Sequence, residues 1–302
     1  MAHLTEVPTD LIVVATSSGL AVPGGALEHL AGSAVTALHV SAGATCVVVG
    51  GRHLYRLEGA RRSLVASLDD VGAICVIEHR GDIFVGGSDA RLWRLDDGAL
   101  EPVESFLDAP TRERWATPWG GPPDVYSMAS HGDDLYVGVH VGGIMRSSDG
   151  GRSWEPTVDL DVDAHQVVVD VDGDLWAATG MRGLGHSTDR GGTWTFHSRG
   201  LHAGYLLAVA AASDGVLVGA SSGPHADDGA LYRFADGMFE RCAGLPPELG
   251  GAISPRHIAA HRDDVVVALP NGDVYGSTDS GRSWSIAAEA LPGVSGVALR
   301  TR

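Results

Sequence analysis

One short pattern recurs seven times along this chain: a run of β-branched or aromatic residues that closes on a small one. It reads Val13-Val14-Ala15, Val48-Val49-Gly50, Phe84-Val85-Gly86, Tyr136-Val137-Gly138, Trp176-Ala177-Ala178, Leu217-Val218-Gly219 and Val266-Val267-Ala268. The closing residues are separated by 35, 36, 52, 40, 41 and 49 positions. Most copies follow an apolar run and a polar turn, as in His79-Arg80-Gly81-Asp82 and His131-Gly132-Asp133-Asp134. A further apolar run follows, ending in an aromatic residue or Arg, as in Leu54-Tyr55-Arg56 and Leu92-Trp93-Arg94. Short β-rich runs between Gly/Asp turns read as antiparallel hairpins. Four strands per unit of about 40 residues, seven times over, predict an all-β, seven-bladed propeller of four-stranded antiparallel sheets. Helical periodicity is nearly absent, which disfavours an α/β fold. One helical turn is expected, over 246–249.

The ends fit a closed ring. Val294–Leu299 reads as an innermost strand without successors, and Asp10–Thr16 as a second strand without a predecessor. Paired, they complete one blade from both termini and leave no open sheet edge. The expected organisation is one propeller domain over 1–302. Blade 1 is shared by 9–35 and 294–300. The later blades lie near 36–68, 70–106, 125–160, 164–200, 205–243 and 256–290.

Composition narrows the function. The net charge is −17, and all 21 basic residues are Arg. That balance argues against nucleic acid or anionic membrane as partner. No stretch reaches the length of a transmembrane helix. Residues 1–6 lack the basic and apolar regions of a secretion signal, so the expectation is a cytoplasmic protein. Cys46, Cys75 and Cys242 have no metal-type spacing and read as buried free thiols.

Three segments share Ser-x-Asp-x-Gly-x-(Ser/Thr)-Trp: Ser147–Trp154, Ser187–Trp194 and Ser277–Trp284. Shorter versions stand at Asp96-Asp97-Gly98 and Asp236-Gly237. On these the chain resembles the Asp-box, or bacterial neuraminidase repeat, propellers. That group includes sialidases, other glycoside hydrolases, sortilin-like receptors and photosystem assembly factors, and the chain is similar to its uncharacterised bacterial branch labelled glycosyl hydrolase. The resemblance implies the same seven-bladed ring, with the boxes on the face away from any ligand. Their chemistry is that of a turn: Ser and Asp oxygens bind amides, Gly takes positive φ and Trp packs beneath. Asp149, Asp189 and Asp279 are therefore expected to be structural. Asp170–Asp174 resembles half a calcium loop, but Met181 stands where the bidentate Glu belongs.

The ligand face of such a ring carries the loops between blades. Two are enlarged, Leu107–Asp124 and Gly244–Arg256, and long loops tend to carry function. The ligand-binding candidates are Arg112, Trp115 and Trp119 in the first loop, with Arg182 and Arg256. Arg forks suit carboxylates, and aromatic faces suit sugars. His140, His165 and His257, with His225 as a further option, are candidates for a divalent metal that could activate water. Asp124, Asp163 and Tyr205 are catalytic candidates, and Asp161 can share a face with Asp163. His79, His131 and His261 align at the opposite face and read as turn residues.

Three functions compete. The first is a pocket for a small molecule or sugar-like ligand, with metal-assisted chemistry. The second is a glycoside hydrolase or lyase of the Asp-box superfamily, using Asp163 or Asp124 with His140 and His165. The third is a scaffold that binds a protein partner. Sialidase chemistry is disfavoured: there is no Arg-Ile-Pro motif, the first Arg is Arg52, and a third convergent Arg is missing.

Overall fold

The computed structural model describes residues 6–23, 30–70 and 72–301. Seven antiparallel sheets form the ring. Six have four strands each: 35–67 (blade 2), 73–102 (blade 3), 125–156 (blade 4), 164–197 (blade 5), 205–241 (blade 6) and 258–288 (blade 7). Blade 1 shows three strands among the described residues: Gly19–Ala21, Ile12–Thr16 and Val294–Leu299. Ile12 pairs with Leu299 and Ala15 with Gly296, so the two ends of the chain close the ring as expected. Residues 24–29 of the expected blade 1, and residues 1–5, on which the cytoplasmic expectation rests, lie outside the described residues.

The recurring sequence pattern is each blade's second strand. Asp134–Val139 and Leu175–Thr179 are buried along their whole length, because neighbouring blades cover both faces of the sheet. That is why the pattern runs continuously apolar instead of alternating. The small residue that closes it answers to close approach. A Cβ on Gly86 would stand 2.3 Å from a methyl of Val125 in the next blade, and one on Gly219 2.8 Å from Ile253.

The Ser-x-Asp-x-Gly segments are turns joining the third and fourth strands. In blade 7, Asp279 Oδ1 accepts from the Ser283 amide at 2.8 Å, the Arg282 amide at 3.0 Å and the Ser277 hydroxyl at 2.7 Å. These segments also tie each blade to the one before. Trp194 Nε1 donates to Thr157 O at 2.8 Å, and Arg190 grips the buried Asp134 of blade 4 at 2.6 and 2.8 Å. Asp279→Ala is expected to cost about 1–3 kcal/mol, since three donors lose one acceptor. Urea denaturation checks it; a midpoint equal to wild type would contradict the structural role.

The helical turn expected at 246–249 does not form. Pro246, standing before Pro247, is biased out of the helical region, and Leu249 instead inserts as a buried anchor between blades 6 and 7. Short helices occur elsewhere, at Glu104–Leu107 and Arg112–Arg114, in the first enlarged loop.

One irregularity repeats around the ring and positions the site. The innermost strands of blades 2 to 6 slip register by one residue near their start. The extra residues are Thr36, Ile74, Tyr126, His165 and Leu207. Blade 1 does the same at Ser295. Arg256 holds the matching place in blade 7. It stands two residues before Ile258, as His165 stands two before Val167, and these two pair with Val267 and Ala177. A bulge re-aims its side chain out of the pleat. Here the bulges bring a ring of side chains to the channel mouth.

Candidate functional site

Asp163 is the centre of the site. It precedes the innermost strand of blade 5 in a tight turn, with the Gly180 amide donating to its carbonyl at 2.9 Å. Its carboxylate bridges two imidazoles: Oδ1 lies 3.0 Å from His140 Nε2, and Oδ2 lies 3.3 Å from His165 Nε2. Gly180 makes room for this. A Cβ there would stand 2.2 Å from Asp163 Oδ2 and 3.1 Å from the His165 ring. His140 comes from the within-blade loop of blade 4, its amide bonded to the Asp124 carbonyl at 2.9 Å. His165 is the blade 5 bulge residue.

The protonation pattern is constrained by geometry. His165 Nδ1 lies 2.6 Å from Leu206 O, and a carbonyl only accepts, so Nδ1 carries a proton. In neutral His165 the Nε2 atom is then a lone pair. It faces Asp163 Oδ2, also an acceptor, and the Tyr205 hydroxyl at 3.2 Å. Two lone pairs 3.3 Å apart repel unless a proton or cation lies between them. On the other side Asp163 Oδ1, although 3.0 Å from His140 Nε2, has no directed hydrogen bond.

The electrostatics follow. Burial pushes the Asp163 carboxyl up, but protons donated by the two imidazoles in their charged form outweigh this and hold it well below the usual carboxylate range. Tyr205 is pushed up to about 12, first by burial and then by the Asp163 and Tyr126 charges, so its hydroxyl keeps its proton and donates. Asp124 is raised by burial, partly offset by the Asp89 amide that donates to its Oδ1 at 3.3 Å. Aromatic rings wall the cluster. Tyr126 and Trp119 lie 4.9 and 5.5 Å from the His140 ring, and Tyr205 lies 4.9 Å from the His165 ring. Trp119 is 71% exposed, a large apolar surface at the rim.

The structure thus brings together His140, Asp163, His165 and Tyr205, with Trp119 and Asp124 beside His140. It does not bring in the others. Trp115 is buried and packs on Phe106 at 5.2 Å, serving the loop's core. Arg112 is spent on the carbonyls of Asp89 and Ala90 and lies over Trp115. Arg182 pairs with Asp161 at 3.1 Å and Asp159 at 3.9 Å, so Asp161 turns away from Asp163. His257 is buried outside the cluster, its pKa lowered to about 4 by burial and then by Arg256. Any metal group must do without it. His225 is exposed in its loop. Sequence reasoning missed Tyr126 and Gln166. Tyr126 stands two residues before Met128, as His165 stands two before Val167, a phase that aligning the repeats could have shown.

Among the described residues, His140, Asp163 and His165 are a group able to hold a metal ion, with ligand atoms all within 4.8 Å of one another. Donors bound at about 2.0–2.2 Å to one ion stand about 3–3.5 Å apart, and the Asp163 oxygens lie 3.0 and 3.3 Å from the two imidazoles. Nδ1 of His165, fixed on a backbone carbonyl, is the outer support that metal-binding imidazoles use.

No protein-family profile matches the chain. No curated protein matches it either. Among solved structures it is similar to virginiamycin B lyase from Staphylococcus aureus, with a TM-score of 0.62, 12% identity and 83% of each chain covered. It is also similar to YCF48 from Cyanidioschyzon merolae, with a TM-score of 0.58, 14% identity, and 88% of this chain and 94% of that chain covered. For the GH74 xyloglucanase from Xanthomonas campestris the TM-score is 0.59 and the identity 16%, over 91% of this chain and 46% of that one. The chain thus spans less than half of the xyloglucanase. At these identities the likenesses speak for the fold: what the chain shares with its neighbours is the propeller.

Proposed function

We propose that this protein is a small-molecule-binding propeller of the Asp-box type whose mouth holds a divalent transition-metal ion on His140, Asp163 and His165, and that it acts as a hydrolase or lyase. The single observation behind this reading is the Asp163 carboxylate, with its two oxygens set against the Nε2 atoms of two imidazoles at 3.0 and 3.3 Å. Two imidazoles and one carboxylate leave coordination positions open for water or substrate. An ion there would supply Lewis-acid polarisation of a substrate oxygen.

The chain's own groups divide the remaining work. Asp163 stays ionised and holds both imidazoles in place. Tyr205, whose proton is retained, donates to an oxygen or leaving group beside His165. That protonated state disfavours Tyr205 as a nucleophile, which argues further against sialidase chemistry. Asp124 orients His140 through the backbone and is a positioning residue. Trp119 and Tyr126 offer flat faces to a sugar or other ring.

Isothermal titration of chelator-treated protein with Zn²⁺, Mn²⁺, Co²⁺ and Ni²⁺ tests the reading, together with elemental analysis of the protein as purified. One equivalent of a divalent ion is expected, with protons released on binding if an imidazolium had occupied the site. No heat and no metal would overturn it.

A further inference from the structure

The ring of bulge residues carries a second charge that the His140–Asp163–His165 cluster leaves unused. Arg256 sits at the same level as Tyr126 and His165, and its side chain crosses the channel from blade 7 to blade 4. There Nη1 donates to Tyr126 O at 3.1 Å. Cys75 of blade 3, the Tyr126 hydroxyl and the neighbouring His257 ring are the groups that interact with its charge, and no ion pair among the described residues includes it. Nε is buried and has no acceptor. Guanidinium charge cannot be given up by deprotonation at ordinary pH, so a full positive charge faces the channel without a fixed counter-charge.

The fold holds the residue firmly in that position. Its backbone takes φ +66°, the left-handed region that a side chain disfavours. Its amide is secured on the Gln166 side-chain oxygen at 3.0 Å, and the same oxygen accepts the Val209 amide at 3.3 Å. The channel around it encloses about 380 Å³. Its walls mix apolar side chains, such as Leu38, Val76 and Ile258, with polar ones, such as His39, Ser127 and Gln166. A buried charge needs a partner more than one in water does. The open space beside it has room for one.

We propose that the head of the central channel is an anion site, in which the Arg256 guanidinium binds a small monovalent anion, either a free halide or a carboxylate. The site is separate from the metal reading and stands or falls without it. Nη1 and Nη2 offer the planar fork that pairs with a carboxylate, and the apolar side chains of the walls favour a weakly hydrated ion over a strongly hydrated one.

The test is thermal unfolding at constant ionic strength. Sodium methanesulfonate is replaced stepwise by chloride, bromide, acetate or formate, with and without EDTA. A ligand that binds only the folded state stabilises it in proportion to ln(1 + [L]/Kd). A rise in midpoint that becomes logarithmic in concentration is expected with at least one of these anions, unchanged by EDTA. Arg256→Met, which keeps length and removes charge, is expected to weaken the apparent affinity about tenfold or more. Chloride and bromide alone giving the rise identifies a free-halide site; acetate and formate alone identify a carboxylate subsite. If Arg256→Met does not fold, crystals of the wild type soaked in bromide or formate give the answer by density at the guanidinium. Equal unfolding curves in all anions, or no density there, would overturn the proposal.

Discussion

The His165→Ala protein is expected to bind divalent cations at least about 100-fold more weakly than wild type. Loss of an outer support alone typically costs about 10–100-fold in metal affinity, and here a direct ligand goes. The side chain links three groups at once: Leu206 O at 2.6 Å, the Tyr205 hydroxyl at 3.2 Å and Asp163 Oδ2 at 3.3 Å. Its removal therefore leaves a buried carbonyl without its donor, and some stability should be lost as well. His165→Asn separates the two effects. Its amide, at the position of the imidazole Nδ1, can still donate toward Leu206 O, but nothing replaces Nε2 beside a cation. Stability near wild type with cation binding still lost is the expected result for Asn, measured by titration calorimetry and urea denaturation. Wild-type cation affinity in both variants would remove His165 from the site.

Phe106→Ala is expected to cost about 3–5 kcal/mol. Phe106 is wholly buried, with Trp115 at 5.2 Å and Trp154 edge-on at 5.0 Å. This aromatic cluster lies under the first enlarged loop, which carries Trp119 over His140. The cavity should loosen that loop, so ligand affinity at the mouth should fall along with stability. Urea denaturation reads the first effect. Trp119 is the most exposed tryptophan, so iodide quenching of tryptophan emission reads the second. A loss under about 1 kcal/mol, with unchanged quenching, would mean that the loop is held by something other than this cluster.

The ring was legible because its repeat is a packing rule. Each middle strand is covered on both faces and ends where a neighbouring blade approaches, so Gly86 and Gly219 leave a mark in the sequence as clear as the valines before them. His140, His165, Asp163 and Tyr205 were legible for a different reason. They are chemically distinctive residues at blade starts and within-blade loops, where a propeller gathers its chain. The aromatic and Arg residues of the 107–124 loop were not. Trp115 and Trp119 look alike in sequence, yet one is buried beneath the loop and the other stands at its rim. Their roles depend on the path of the loop after the Arg112–Arg114 turn, and no periodicity records that path. Arg112 and Arg182 were misjudged similarly: carbonyls of Asp89 and Ala90 hold one, and acids of the 159–161 turn hold the other. The bulges explain what pattern reading lacked, since one extra residue per strand turns Tyr126 and His165 toward the mouth without altering the strand signal.

The pairing of 12–16 with 294–299 also sets an order of events at the ribosome. The Ile12–Thr16 strand emerges early, but its innermost partner is synthesised roughly 280 residues later. At elongation rates of about 5–20 residues per second, it waits on the order of tens of seconds with one backbone edge unmatched. Blades 2 to 7 can each form as they appear, from contiguous sequence. A stalled or truncated nascent chain thus keeps an exposed strand able to pair with another molecule, whereas the finished chain buries it.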